Sequence, residues 1–154
     1  MNVISNSSPI IALSSIGKED LFSSLFNKTI IPQGVYDEVF DNKIYTLNNN
    51  ISLNFDIIKL KNPEFVNLLN MRLGPGESEA IALAIEQSVD RIILDDREAR
   101  KVAESLGLRI IGTVGLLLLA QKKGFIDKVK PLIYEMVESV NFRISKSLID
   151  SIDE

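Results

Sequence analysis

The chain has 154 residues, a net charge of −4, 45% hydrophobic residues and 25% charged ones, which suits one globular domain with a substantial core and not the broad basic footprint of a general nucleic-acid binder. It contains neither Cys nor His. That excludes disulfides, thiolate zinc sites, Ser-His-Asp triads, histidine acid–base work and histidine metal sites, so any catalysis rests on carboxylates, Lys, Arg, hydroxyls, amides or a metal held by oxygens.

In chain order, the predicted elements begin with a short strand over Val3–Ser5. A polar turn follows, and then a helix over Pro9–Ile16 with Ser8 as N-cap and Pro9 at the first helical position. Gly17 breaks that helix, and Leu21–Phe26 forms a second helical piece. Lys28–Ile31 is a β-branched strand ended by Pro32. Gly34–Phe40 reads as helical, with Val35, Val39 and Phe40 facing inward. Asp41–Asn54, rich in Asn, reads as an exposed loop. Phe55–Leu60 is a strand or edge segment, and Pro63–Leu73 a helix ended by Gly74-Pro75-Gly76.

Glu77 to about Gln87 is a very apolar helix. Arg91–Leu94 is a buried strand, Asp95–Leu106 a helix closed by Gly107, and Arg109–Ile111 another strand. Val114–Lys123, Asp127–Val140 and Lys146–Asp153 are the last helices. There is no internal repeat. Short apolar strands alternating with helices predict an α/β fold whose mainly parallel sheet is covered on both faces. No segment approaches the roughly 20 apolar residues of a membrane span, and Met1-Asn2-Val3 lacks the basic start of a signal peptide, so the expected location is the cytoplasm.

The acidic residues fall at informative places. Asp95 and Asp96 end the strand RIIL, Glu77 and Glu79 open the helix GESEAIALA, Glu38 lies in VYDEV, and Asn6 ends the first strand. In an open parallel sheet, strand C-termini and the following helix N-termini converge on one edge. Asn6, Glu79 and Asp96 are therefore expected together, with Glu38 in reach. Carboxylates gathered at one edge repel each other unless a divalent cation sits between them, and oxygen ligands suit Mg²⁺ or Mn²⁺.

The motifs SNSSPII, IPQGVYDEV, GESEAIALA, LDDREAR and GLRIIGTVGLLL, running in that order from about residue 3 to residue 146, resemble the PIN-domain family of metal-dependent ribonucleases. The likeness is nearest to a toxin-type prokaryotic branch whose first strand ends in an SN-S/T-SP motif. The resemblance implies a single PIN-like domain over residues 1–154, with a three-layer α/β/α architecture. It also implies a Mg²⁺- or Mn²⁺-dependent endoribonuclease. Asn6, Glu38, Glu79 and Asp96 are the implied metal positions, with Asp95 as a further ligand and Glu38, Glu79 and Asp96 as the catalytic acids. Ser8, Arg97, Arg100 and Thr113 are the implied substrate contacts. RNA, a small antitoxin protein and a second copy of the chain are the implied partners. Asn6 stands where the family more generally has an acid, although this branch often carries the amide.

Each of these residues also has a plain structural reading. Asp95 can N-cap its helix with Glu98 completing a capping box, which leaves Asp96 to face the site. Glu77 and Glu79 suit the positive end of a helix dipole, and Glu77 is expected to do only that. Glu79 lies on an apolar helix and wants a partner. Glu38 can simply be solvated. Thr113 and Ser8 are expected N-caps, and Arg100 can pair with Asp96 or Glu104 at i,i+4. Lys122, Lys123, Lys128 and Lys130 form either a solvated face or a surface that steers phosphates. Asn6 supplies one neutral carbonyl oxygen, a weaker ligand than a carboxylate, or else caps the strand–helix turn. The rival functions are an RNA-binding or regulatory module with a decayed site and, third, a metal-dependent phosphohydrolase of small phosphate esters.

Overall fold

The computed structural model describes residues 1–41 and 55–154. Most of the expected Asn-rich loop, at residues 42–54, lies outside the described residues. The elements are β1 (Asn2–Ser5), α1 (Ser7–Ser15), α2 (Asp20–Leu25), β2 (Lys28–Pro32) and α3 (Gln33–Tyr36), which runs on into a π-helical turn at Asp37–Asp41. They continue with β3 (Asp56–Ile58), α4 (Pro63–Leu69), α5 (Pro75–Gln87), β4 (Arg91–Ile93) and α6 (Arg97–Ser105). The chain then forms β5 (Ile110–Ile111), α7 (Thr113–Lys122), α8 (Lys130–Val140) and α9 (Lys146–Ser151).

Among the described residues five strands form one parallel sheet in the order β3-β2-β1-β4-β5. The chain builds outward from β1 in one direction and then returns to build from its other side. Strand order therefore reverses between β1 and β4, and at such a switch point the flanking loops part to leave a crevice at the strand C-termini.

Successive strand residues point to opposite faces, and each face carries its own core. Val3, Ile31 and Ile93 face one cluster, built with Ile10, Leu13 and Phe22 from α1 and α2, Leu116 and Leu117 from α7, and Ile133 and Met136 from α8. Ile4, Ile30 and Ile92 face the other, built with Val66 and Leu69 from α4, Ile81 and Leu83 from α5, and Ala99, Val102 and Ala103 from α6. Strands buried on both faces must be apolar throughout, which is why β1, β2 and β4 read as continuous hydrophobic runs. This is the three-layer α/β arrangement the alternation predicts. Within the described residues no helix is long and apolar enough to cross a membrane.

The Leu116–Leu119 run resolves as helical geometry requires, since neighbours point about 100° apart. Leu116 and Leu117 are fully buried, Leu119 packs partly against the same cluster, and Leu118 turns outward.

Candidate functional site

The crevice at the switch point is built first by β1. Asn6 follows its last residue, and the Asn6 N–H donates to the carbonyl of Ile93 at the end of β4, 3.2 Å away. That bond fixes the amide beside the Asp95-Asp96 turn. α1 begins at Ser7 with Asn6 at its N-cap position, so Ser8 and Pro9 are its second and third residues. The expected N-cap Ser8 is thus two places too late. Ser8 is exposed instead and lines the crevice.

Asn6 does not cap the helix with its side chain either. Only 2% of its surface is exposed, and its Oδ1 has no hydrogen-bond partner among the described residues. Its Nδ2 points at Glu77 Oε1, 3.5 Å away. That orientation lets the amide N–H donate to a carboxylate oxygen. A buried carbonyl oxygen without a donor costs about 1–3 kcal/mol.

The surroundings of this oxygen are acidic. Glu38 enters from the π-helical turn, and its Oε2 accepts a 2.9 Å hydrogen bond from the Ser7 hydroxyl. Gly76, in the first turn of α5, closes the gap between the two. A methyl group built on Gly76 would stand 3.1 Å from Asn6 Oδ1 and 3.3 Å from Glu38 Oε2. The missing side chain leaves space bordered by an amide oxygen and a carboxylate oxygen.

The two glutamates of GESEAIALA separate onto different faces of α5, two residues apart and about 200° around the helix. Glu77 faces the crevice, which it lines with Asp95 and Asp96. Glu79, expected in the site, instead accepts a 3.0 Å bond from the Gly34 N–H and packs against Gly34 at the start of α3. Its partner is therefore a backbone donor, and it is not among the residues lining the crevice.

The two aspartates also exchange their expected parts. α6 starts at Arg97, and the N-cap is Asp96, whose Oδ2 accepts from the Ala99 N–H at 2.9 Å. Asp95 is not the cap, and Glu98 forms ion pairs with Arg72 and Lys101 rather than a capping box. Asp95 turns toward α7, where its Oδ1 accepts from the Thr113 N–H at 2.8 Å and its Oδ2 from the Thr113 hydroxyl. Burial raises the Asp95 pKa from the ordinary value, against the lowering pull of the two Thr113 bonds and the Arg100 charge. Thr113 is the first residue of α7 behind an N-cap at Gly112, and it is fully buried. Its hydroxyl donates to Asp95 and is shielded from solvent.

Arg100 forms no ion pair within 4.0 Å with Asp96 or Glu104. Its guanidinium stands near Gly112 and Asp95. Asp95, Arg97 and Arg100 line a second groove alongside the crevice, and Phe142 and Arg143 line both. Phe142 and Arg143 were not singled out from the sequence. The signal for them was Asn141, which takes the left-handed conformation (φ 59°) at the end of α8. Asparagine at such a helix end turns the chain back on itself. Lys122, Lys123 and Lys128 are exposed and line neither the crevice nor the groove.

Among the described residues no three acidic side chains are gathered closely enough to hold a metal ion. The donors that meet at Gly76 are an amide oxygen, Asn6 Oδ1, and the Glu38 carboxylate, with Glu77 on the Nδ2 side of the same amide. They are hard oxygen donors without thiolate or imidazole, the chemistry of a Mg²⁺ or Mn²⁺ site. Asn6 Oδ1 is the atom that such an ion would satisfy.

A family model described as a PIN domain matches residues 2–153. Neither a curated protein nor a solved structure matches the chain.

Proposed function

The chain belongs to the PIN-domain family, and on that premise we propose that it is a Mg²⁺- or Mn²⁺-dependent endoribonuclease working in the crevice between β1 and β4. The observation that carries the reading is the buried Oδ1 of Asn6, without a partner among the described residues, beside the Glu38 carboxylate at Gly76, where an added Cβ would crowd both oxygens. Asn6, Glu38 and Glu77 would hold the cation, with Glu77 taking the part expected of Glu79. The ion supplies activation of water and stabilisation of charge on the phosphate during in-line attack. The chain's own residues arrange that site. The Ser7 hydroxyl fixes Glu38, Thr113 fixes Asp95, and Glu79 pins the first turn of the helix that carries Glu38. Asp96 caps α6 through one oxygen and borders the crevice with its side chain.

The test is cleavage of a mixed RNA pool by wild type, Asn6→Asp and Glu77→Gln, with Mn²⁺ and with EDTA. Wild type should cut only with metal. Asn6→Asp should cut faster, because a charged oxygen binds the cation more tightly in a partly dehydrated cleft. Glu77→Gln should lose cutting. Cutting that survives EDTA or Glu77→Gln removes this site from the reaction.

A second reading has its own support. The neutral Asn6 and the lack of a described three-acid cluster favour a PIN domain that binds RNA without cutting it. No cutting by wild type or Asn6→Asp on any RNA selects that reading. As partners we propose a small antitoxin protein and a second copy of the chain, both from the family resemblance. The exposed apolar residues on α8 support the second copy.

A further inference from the structure

The groove beside the crevice is unlike the rest of this acidic chain. Three of the six arginines in the sequence, Arg97, Arg100 and Arg143, line it. Arg97 and Arg100 sit one turn apart on α6, and Arg143 reaches in from the connection between α8 and α9. All three are exposed, and none is in an ion pair within 4.0 Å among the described residues, where Arg72, Lys28 and Lys101 are paired. The groove is also lined by apolar side chains, Ile111, Leu118 and Leu148 among them, which offer it an apolar floor. The cavity holds about 780 Å³, within the roughly 300–1,000 Å³ of sites that enclose small ligands. The groove is continuous with the acidic crevice, because Asp95, Phe142 and Arg143 border both.

Resting on the nuclease reading above, we propose that this groove is the subsite for an unpaired nucleotide of single-stranded RNA flanking the scissile phosphate. Arg97, Arg100 and Arg143 grip the backbone phosphate, and the apolar floor receives the base. Arginine suits this because its planar fork meets two phosphate oxygens at once. A base laid on the floor must be free of its helix, since an A-form duplex keeps its bases stacked inside and presents ribose and phosphate instead. The strand then passes Phe142 and Arg143 into the crevice, so one segment spans the basic groove and the acidic cleft. An acidic peptide matches the arginines equally well but has no planar group for the floor. A second copy of a chain of net charge −4 matches neither part specifically.

The experiment is fluorescence anisotropy of a short labelled single-stranded RNA in EDTA, where cleavage is off and binding alone is read. The proteins are wild type, the triple variant Arg97→Ala/Arg100→Ala/Arg143→Ala, the single charge reversal Arg143→Glu, and Arg109→Ala. Arg109 is an equally exposed arginine just before β5, at the opposite end of the sheet from the crevice. The triple variant should bind at least about tenfold more weakly, and the salt dependence of binding should flatten by about one unit of slope per lost phosphate contact. Arg143→Glu should weaken binding and Arg109→Ala should not. Duplex RNA should compete poorly, and so should polyglutamate.

Equal binding by wild type and the triple variant overturns the proposal, as does equal weakening by Arg109→Ala. Polyglutamate competing as well as RNA makes the groove a peptide site and also overturns it. The two readings fail separately. Metal-dependent cutting with unchanged binding by the triple variant removes the groove and keeps the nuclease. Arginine-dependent binding without any cutting keeps the groove and removes the nuclease.

Discussion

An asparagine at a helix N-cap ordinarily offers its carbonyl oxygen to the N–H of the second or third helical residue. After Asn6 the third residue is Pro9, which has no N–H, so half of that choice is gone. The oxygen is left buried next to Glu38, unpaired among the described residues. This answers why an amide stands where a carboxylate is more usual: it can serve a cation while adding no charge beside Glu38 and next to a crevice already bordered by Glu77, Asp95 and Asp96. Gly76 tests the idea at a single atom. Its backbone is not in the left-handed region, so alanine is conformationally acceptable there, and helix propensity favours alanine by up to about 1 kcal/mol. The added methyl group would nevertheless crowd Asn6 Oδ1 and Glu38 Oε2. Gly76→Ala should therefore keep thermal stability within about 1 kcal/mol of wild type. It should weaken Mn²⁺ binding by at least about tenfold, a change of about 1.4 kcal/mol, read by titration calorimetry. Unchanged Mn²⁺ affinity would place the ion elsewhere.

At the scale of elements, apolar runs bounded by Gly, Pro and polar turns carried nearly the whole order of strands and helices. β1, β2, β4 and β5 lie within about a residue of their predicted limits because a strand buried on both faces has an unmistakable composition. The phase of the helix starts was much less legible. α6 begins at Arg97 and not Asp95, and α5 begins at Pro75 and not Glu77. Each residue of displacement turns a side chain by about 100°. Choosing between Asp95 and Asp96, or Glu77 and Glu79, therefore depends on cap geometry and on partners distant in sequence, Thr113 and Gly34. The π-helical turn carrying Glu38 has no simple sequence signature, although such turns recur at functional sites. On α8, Ile133 and Met136 are buried while Tyr134 and Val137 are 53% and 36% exposed on the outer side. If a second copy covers that side, sedimentation at roughly tens of micromolar, where a Kd of about 1 μM corresponds to about −8 kcal/mol, should give twice the protomer mass. Val137→Glu should return it to one protomer. A wild-type protomer mass at that concentration would rule out this dimer.

At the scale of the whole molecule, the proposed ligands come from three separate pieces of chain: Asn6 after β1, Glu38 from the π-helical turn, and Glu77 from α5. Without a cation these pieces meet through acids that repel each other and an amide oxygen that lacks a donor. A bound cation links all three, and it can do so only in the folded chain, so binding adds directly to folding stability. At a free Mn²⁺ concentration about 100 times Kd the gain is about 2.7 kcal/mol. For a domain of this size that corresponds to a rise in Tm of about 5–10 °C. EDTA should reverse the rise. Asn6→Asp should lower the Tm in EDTA, because it adds an unneutralised carboxylate, and should enlarge the rise on adding Mn²⁺, because that carboxylate then has its counter-ion. Gly76→Ala should show almost no rise. The opposite pattern, in which wild type and Gly76→Ala respond alike and Asn6→Asp gains nothing, would mean that Mn²⁺ acts on scattered surface acids. The crevice at the switch point would then hold no cation, and the non-cutting RNA-binding reading would take its place.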